Sequence, residues 1–206
     1  EDPDTDINWG HVGDIAETAR ERGLKAAIAS NPTNSDLYFQ LAGMQVSRGA
    51  PGDADATMRA LRGALPDKPG LPAAIAGFYV RNGQFDRGMT MLEDAASANP
   101  ANPEIHQLVA VFYWEKAFKD QSLSPADKQR YLEAGIAATD RALAQNPDYV
   151  DALTYKNILL RMKANMEADP ARRQALVAEA DSLRNRAIEL QKARQSGRAD
   201  MAFVPA

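Results

Sequence analysis

The alternation of apolar and polar positions is most regular between residues 69 and 100, where apolar side chains recur every three or four positions. This spacing places them on one face of an α-helix, and the interruption at Asn82-Gly83 is typical of a turn. The segment therefore predicts two short amphipathic helices that pack against each other as a hairpin. The facing positions are Ile75, Ala76, Phe78 and Tyr79 in the first helix and Phe85, Gly88, Leu92 and Ala95 in the second.

Prolines recur at a fixed interval around this hairpin. Pro32, Pro66 and Pro100 are separated by 34 residues each, from 32 to 66 and from 66 to 100. Self-similarity at a fixed period of this size is the signature of helical repeats that stack on one another. The sequence therefore predicts an all-α solenoid in which each repeat buries its apolar face against its neighbours.

Four hairpins of this kind are predicted, after a terminal helix that caps the array. In the third, Pro147 follows Pro100 by 47 residues, from 100 to 147, and the surplus lies around the central turn, so both helices should be longer than standard. Ser124 and Asp169, each followed by proline, are predicted to cap the second helices of the last two hairpins. The predicted organisation is an acidic arm at 1–10, a single repeat domain at 11–197 with a cap helix at 11–30 and hairpins at about 35–66, 69–100, 103–147 and 150–195, and a tail at 198–206.

The hairpin at 69–100 resembles the tetratricopeptide repeat, a helix–turn–helix unit, at almost every position of its pattern. The preceding hairpin departs from the pattern at Gln45, where a tyrosine is common, and at Leu61, where alanine is preferred. The third and fourth hairpins resemble a bacterial variant, with Asn157 where a small residue is usual. The resemblance implies a right-handed solenoid of about nine helices. The matching residues are Ile75, Ala76, Tyr79, Gly83, Phe85, Gly88, Leu92, Ala95 and Pro100.

The resemblance also implies a partner-binding groove, because tetratricopeptide proteins hold peptides on the inner face of each first helix. Members that grip a C-terminal carboxylate use lysine and asparagine there. The matching positions here hold Phe39, Gly43, Ala74 and Gln107. An apolar or helical segment fits this lining better, although packing of Trp114 and Met162 against the next repeat is the alternative interpretation. The predicted groove residues are Phe39, Val46, Val80, Arg81, Gln107, Val111, Trp114, Ile158, Arg161 and Met162.

The composition narrows the class of protein further. Hydrophobic residues make up 45% of the 206 positions and aromatic residues only 7%, which is typical of an alanine-rich helical protein. The formal net charge of −4 has the wrong sign for binding a phosphate backbone, so nucleic acid is not an expected partner. No apolar run is long enough to span a membrane. The chain has no cysteine, which excludes disulfides and thiolate chemistry.

No catalytic constellation is recognisable in the sequence. His11 and His106 are far apart and have no acidic residues at metal-ligand spacing. A glycine-rich phosphate loop and a nucleophile elbow are both missing. Asp4, Asp6 and Asn8 follow the first spacings of a calcium loop, but the required glycine comes one position late. We therefore predict no enzymatic activity, no cofactor and no metal site.

The two ends of the chain carry opposite charge. Residues 1–22 hold seven acids and two arginines, whereas residues 171–198 hold seven bases and three acids. Complementary ends favour head-to-tail contact between copies, so a self-assembling structural subunit is the second functional hypothesis. The last helix is predicted to end near Ala193, and the short apolar tail then folds back on it, docks into a neighbour's groove or is disordered. The apolar tail residues are Met201, Phe203 and Val204.

The start of the chain bears on its compartment. It begins at Glu1 rather than methionine and shows no apolar signal core, which favours a processed, exported protein of the periplasm or cell envelope over a cytoplasmic one. The first functional hypothesis is thus a scaffold that binds a partner polypeptide, and the sequence does not indicate which partner.

Overall fold

The computed structural model describes the backbone of residues 9–202 and the side chains of residues 18–196. Within these ranges every regular element is an α-helix. The predicted all-α repeat fold of the solenoid class is therefore confirmed. Several features predicted from the sequence lie outside these ranges, at least in their side chains, namely Asp4, Asp6, Asn8, His11, Met201, Phe203 and Val204.

The chain divides into two compact units, residues 1–88 and 89–206, and each is described by itself. The first unit contains α1 (Trp9–Ser30), α2 (Ser35–Ser47), α3 (Pro51–Ala64), α4 (Leu71–Arg81) and the beginning of α5 (Phe85–Ala98). Helix α2 packs against α1 and α3, and α3 also contacts α4. The core of this unit is formed by Tyr38, Leu41, Ala42, Ala54, Met58, Leu61, Leu71, Ile75, Ala76, Phe78 and Tyr79.

The turn between α4 and α5 follows directly from its two residues. The Asn82 side chain donates a hydrogen bond to the Phe78 carbonyl oxygen at 2.8 Å and so satisfies one of the last carbonyls of α4. Gly83 has a φ of 72°, a left-handed conformation that glycine adopts without steric cost. The main-chain N–H groups of Gly83 and Gln84 then bond back to Val80 and Tyr79, which completes a Schellman motif. The predicted turn is confirmed.

The second unit contains the rest of α5 together with α6 (Pro103–Lys119), α7 (Pro125–Gln145), α8 (Val150–Ala164) and α9 (Pro170–Ala202). Helices α6, α7 and α8 each pack against the next helix, and α6 also contacts α8. Helices α6 and α7 have 17 and 21 residues, compared with 11 and 14 in α4 and α5. The predicted lengthening of both helices in the third hairpin is confirmed.

Side-chain caps start α6, α7 and α9 of the second unit, and those at Ser124 and Asp169 were predicted from the sequence. Asn102 accepts a hydrogen bond from the Glu104 main chain at 2.9 Å, and Ser124 accepts one from Asp127 at 3.1 Å. Asp169 accepts bonds from the main-chain N–H groups of residues 171 and 172. Each cap satisfies donors that have no partner within the helix, so these residues fix where α6, α7 and α9 begin.

Helix α9 ends later than predicted. It was expected to stop near Ala193 and to give way to a tail after Gly197, but it continues through Ala202. A single glycine costs only about 1 kcal/mol inside a helix relative to alanine, so Gly197 does not end it.

A tyrosine–carboxylate bond recurs one repeat apart. In the first unit, the hydroxyl of the fully buried Tyr79 donates to Asp55 at 2.8 Å, and Arg87 pairs with the same carboxylate at 2.5 Å. In the second unit, the Tyr113 hydroxyl donates to Glu93 at 2.7 Å. Since Tyr113 follows Tyr79 by one 34-residue period, these bonds connect equivalent first helices to the second helix of the preceding repeat.

Candidate partner-binding surface

The predicted groove residues of the first unit lie on α2 and α4. Phe39 is half-buried, and its ring packs against that of Phe78 with centroids 5.8 Å apart. Val46 is also half-buried, whereas 37% of Val80 is exposed. Phe39 therefore serves partly to join α2 to α4, and Val80 is the more accessible apolar side chain of this group.

Arg81 folds back over its own helix. A Cβ atom placed at Gly77 would lie 3.2 Å from Nη1 of Arg81, so the guanidinium occupies the space that a side chain at that position would fill. Arg81 is exposed to solvent. The last turn of α4 thus presents a cation beside an apolar valine.

The predicted groove residues of the second unit lie on α6 and α8. Gln107, Val111 and Trp114 follow one another at intervals of four and three residues and therefore share one face of α6. Trp114 meets Tyr155 of α8 in an edge-on contact with ring centroids 5.4 Å apart. This contact supports the interpretation that Trp114 packs against the next repeat. Ile158 and Met162, both half-buried, lie further along α8.

Arg161 is engaged by side chains of the second unit. Its Nε donates to Asn157 at 2.9 Å, and its Nη2 pairs with Asp181 of α9 at 2.6 Å. Lys156 on the same helix bridges Asp140 of α7 and Glu179 of α9. Burial by itself would lower the pKa of Lys156, but these two hydrogen bonds more than offset it, so the pKa is raised. Arg161 and Lys156 therefore connect α8 to its neighbouring helices through ion pairs.

Phe118 is an exposed aromatic residue that the sequence reasoning missed. Its ring stacks on that of Trp114, with centroids 5.5 Å apart and an angle of 12° between the planes. At 55%, it is the most exposed large hydrophobic side chain among the described residues. The signal was its position four residues after Trp114, which continues the same helix face. We call Gln107, Val111, Trp114 and Phe118 the α6 stripe.

Hydrogen bonds order the end of α6 next to Phe118. The Asp120 carboxylate accepts bonds from Lys116 at 2.8 Å and from the main chain and hydroxyl of Ser122. The bond from Lys116 contributes most to lowering the pKa of Asp120, which falls to about 2. The exposed ring therefore projects from a helix end that stays charged and fixed at neutral pH.

The α6 stripe also contains polar atoms without partners. Only 5% of Gln107 is exposed, and neither Oε1 nor Nε2 of its carboxamide has a hydrogen-bond partner among the described residues. The indole Nε1 of Trp114 is likewise buried and unpaired. Buried polar groups in folded proteins are almost always hydrogen-bonded, so these two side chains are exceptions, and because they do not reach the surface they offer no contact to a ligand.

Other kinds of site are not apparent in the described part of the chain. No group of three or more histidine or carboxylate side chains there could hold a metal ion. None of the described helices combines the length and apolarity needed to cross a membrane. An open cavity of about 280 Å³ lies between the start of α7 and the end of α8. It is lined by Gln129, Leu132, Lys163, Met166, Glu167 and Ala168.

Comparison with known proteins agrees with the helical repeats. Residues 49–112 match the tetratricopeptide repeat family. The crystal structure of MamA superposes with a TM-score of 0.51 at 14% identity, covering 93% of this chain and 98% of that one. A MamA structure from Desulfovibrio magneticus RS-1, starting at residue 41, has a TM-score of 0.46 at 15% identity and covers 86% of each chain. At these identities the likeness shows the fold alone. No curated protein matches the sequence.

Proposed function

We propose that this chain, which is a tetratricopeptide-repeat protein, is a non-enzymatic scaffold that holds a partner polypeptide against the first helices of its repeats. The fold is in general one of protein interaction, because stacked helical repeats present long surfaces rather than an enclosed reaction site. The observation that carries the proposal is Phe118, a large aromatic side chain that is more than half exposed on a first helix.

The stacking of Phe118 favours a role in binding. An exposed phenylalanine normally loses rotamer freedom when a partner covers it, which reduces the affinity. Here Trp114 already holds the ring at a fixed position, and the ordered end of α6 fixes the helix that carries it. Aromatic side chains that are fixed before binding are typical anchors of protein interfaces.

The proposal predicts that Phe118→Ala weakens partner binding by about tenfold or more, since burying this ring supplies much of the anchor energy. The measurement is the affinity of the purified variant for the polypeptide that co-purifies with the chain from its native source. Ile188→Ala is the matched control, because Ile188 is also a large exposed apolar residue, 40% accessible, but lies on α9. An equal loss of affinity in the two variants, or no loss in either, would show that the partner does not bind at α6.

The remaining functional hypotheses rest on the sequence alone. Head-to-tail self-assembly depends on the charge difference between residues 1–22 and 171–198 and on a tail outside the described side chains. The hypothesis of an exported location likewise rests on the sequence alone. Both stay predictions.

A further inference from the structure

The side chains of α1 that the structure describes, at 18–30, include one that is buried, and it is a carboxylate. Only 8% of Glu21 is exposed. The apolar Leu24 and Ile28, which share its helix face at intervals of three and four residues, are half-buried. By contrast, α3 buries Met58 completely. The described part of α1 is therefore held to the fold by less apolar burial than α3.

Glu21 is held by two cations, at the end of the α1–α2 pair that lies away from the connecting turn. Its carboxylate pairs with Arg48, the residue that caps the C-terminus of α2. It also pairs with Lys25 of its own helix at 2.8 Å. Arg48 in turn pairs with Asp53 of α3 at 3.4 Å. Since a partly buried ion pair is screened less than an exposed one, the Glu21–Arg48 pair fastens this end of α1 to the hairpin.

The face of α2 under α1 is apolar apart from Arg48. The residues that share this face, at intervals of four, three and four, are Leu37, Leu41, Met44 and Arg48. Because Arg48 binds Glu21, α1 lies over this face. Leu41 is buried, whereas Leu37 and Met44 are only half-buried. Movement of α1 away from α2 would therefore expose an apolar stripe formed by these three residues.

We propose that α1 is a displaceable lid on the first hairpin, which undocks from α2 as a unit while α2 and α3 stay folded, and that the Glu21–Arg48 ion pair is its latch. Local opening is expected where little apolar burial holds an element in place. The turn at 31–34 joins α1 to α2 and is where the movement pivots. The inference goes beyond the proposed function, which concerns α6, because it assigns a closed and an open state to the start of the array.

Acid is expected to open the latch. The hydrogen bonds from Lys25 and then from Arg48 lower the pKa of Glu21 below its ordinary value of 4.5. A carboxylate with a lowered pKa stabilises the docked state above its ordinary pKa, and this contribution is lost as the pH falls through the lowered value. The charged groups described around Glu21 are Lys25, Arg48 and Asp53. Lysine and arginine remain cationic in acid, so protonation of Glu21 removes the attraction.

The first test is hydrogen exchange of the full chain, read by mass spectrometry of its peptides. In the wild type, the amides at 18–30 are expected to exchange at least about tenfold faster than those of α3, because α1 opens without unfolding the hairpin. Equal protection of the two helices would show that α1 opens only when the hairpin unfolds, and this overturns the proposal.

Glu21→Gln tests the latch itself. The variant removes the charge and keeps the size, so exchange in α1 should become about fivefold faster while exchange in α3 stays the same. Glu133→Gln is the matched control, because Glu133 of α7 also pairs with a lysine on a neighbouring helix, Lys163 at 3.2 Å, but lies in the second unit. It should leave α1 unchanged. If Glu21→Gln has no effect on α1, accelerates α1 and α3 equally or prevents folding, Glu21 is not a latch and the proposal is wrong.

The second test compares exchange in mild acid with exchange near neutrality. The measured quantity is the rate in α1 divided by the rate in α3, since the ratio cancels the intrinsic pH dependence of amide exchange. In the wild type the ratio should rise as the pH falls below about 4.5 and approach the ratio of Glu21→Gln, which should itself stay constant. A constant ratio in the wild type, or the same rise in both proteins, would contradict the role of Glu21.

Discussion

Replacing Tyr79 by alanine is expected to lower the free energy of unfolding by about 3–5 kcal/mol, the range for removing a large aromatic side chain from a packed core. Tyr79 is completely buried on α4, and its ring packs edge-on against Phe78 with centroids 5.2 Å apart. Its hydroxyl also binds Asp55 of α3, so the variant removes a packing element and a connection between two helices. Urea unfolding followed by circular dichroism measures the loss.

Tyr79→Phe separates the ring from the hydroxyl. It keeps the packing and removes one hydrogen bond, so a loss of only about 1 kcal/mol is expected. Burial, followed by the bond to Asp55, raises the pKa of Tyr79 well above its usual value near 10. The neutral hydroxyl is thus favoured in the folded state, and its contribution to stability declines as pH rises above about 10. Tyr79→Phe should lose less stability than the wild type between about pH 9 and 11; an equal loss would contradict this account of the bond.

Gly88→Ala is expected to lower the free energy of unfolding by about 1–3 kcal/mol, the usual cost of overpacking a core. A Cβ atom at this position would lie 2.9 Å from the carbonyl oxygen of Ala76 and 3.1 Å from Cβ of Tyr79. The carbonyl belongs to the main chain of α4, so α4 and α5 would have to move apart. This cost should exceed the gain of about 1 kcal/mol that alanine's helix preference provides.

Gly135→Ala on α7 is the matched control. A Cβ atom there would meet the terminal methyl groups of Leu159 at 3.1 and 3.2 Å, and a leucine side chain can adjust where a main-chain carbonyl cannot. Its effect should stay within about 1 kcal/mol of the wild type, because the helix preference offsets the crowding. If both glycine variants are equally stable, the close approach of α4 and α5 at Gly88 does not limit the fold.

Local sequence signals were sufficient for the helices. The turn at Asn82-Gly83 and the caps at Ser124 and Asp169 act through atoms within a few residues of one another, and these predictions are confirmed. The predicted end of α9 near Ala193 is too early, because the helix continues through Gly197 to Ala202. A single glycine inside a helix costs only about 1 kcal/mol relative to alanine, and α9, the longest of the described helices at 33 residues, accommodates it.

The candidate binding surface was less predictable, since the exposure of a side chain depends on residues distant in sequence. The sequence placed Gln107 and Trp114 on one helix face, but it could not show that the amide would be buried without a partner. Arg161 was predicted for the groove from its position alone, whereas Asp181, 20 residues later, engages it. Phe118 was omitted because the resemblance to the family does not extend to the lengthened end of α6.

The Tyr79 and Gly88 variants test the packing of the helices, and the Phe118 variant tests the proposed binding of a partner. Tyr79 and Gly88 are buried, whereas Phe118 is exposed near the end of α6. If the protein is a scaffold, the Tyr79 and Gly88 variants should therefore lower its stability, and the Phe118 variant should lower its affinity for the partner. Such a separation is expected because interface anchors and core residues contribute to different equilibria.

The most direct measurement for the scaffold account is site-specific photo-crosslinking in the native source cells. A photoreactive phenylalanine derivative is placed at Phe118 in one variant and at Ile188 in another, and both are irradiated under the same conditions. The account predicts a discrete covalent adduct with a partner polypeptide from position 118 and none from position 188. Absence of an adduct at 118, or the same adduct at both positions, would contradict the claim that the α6 stripe holds the partner.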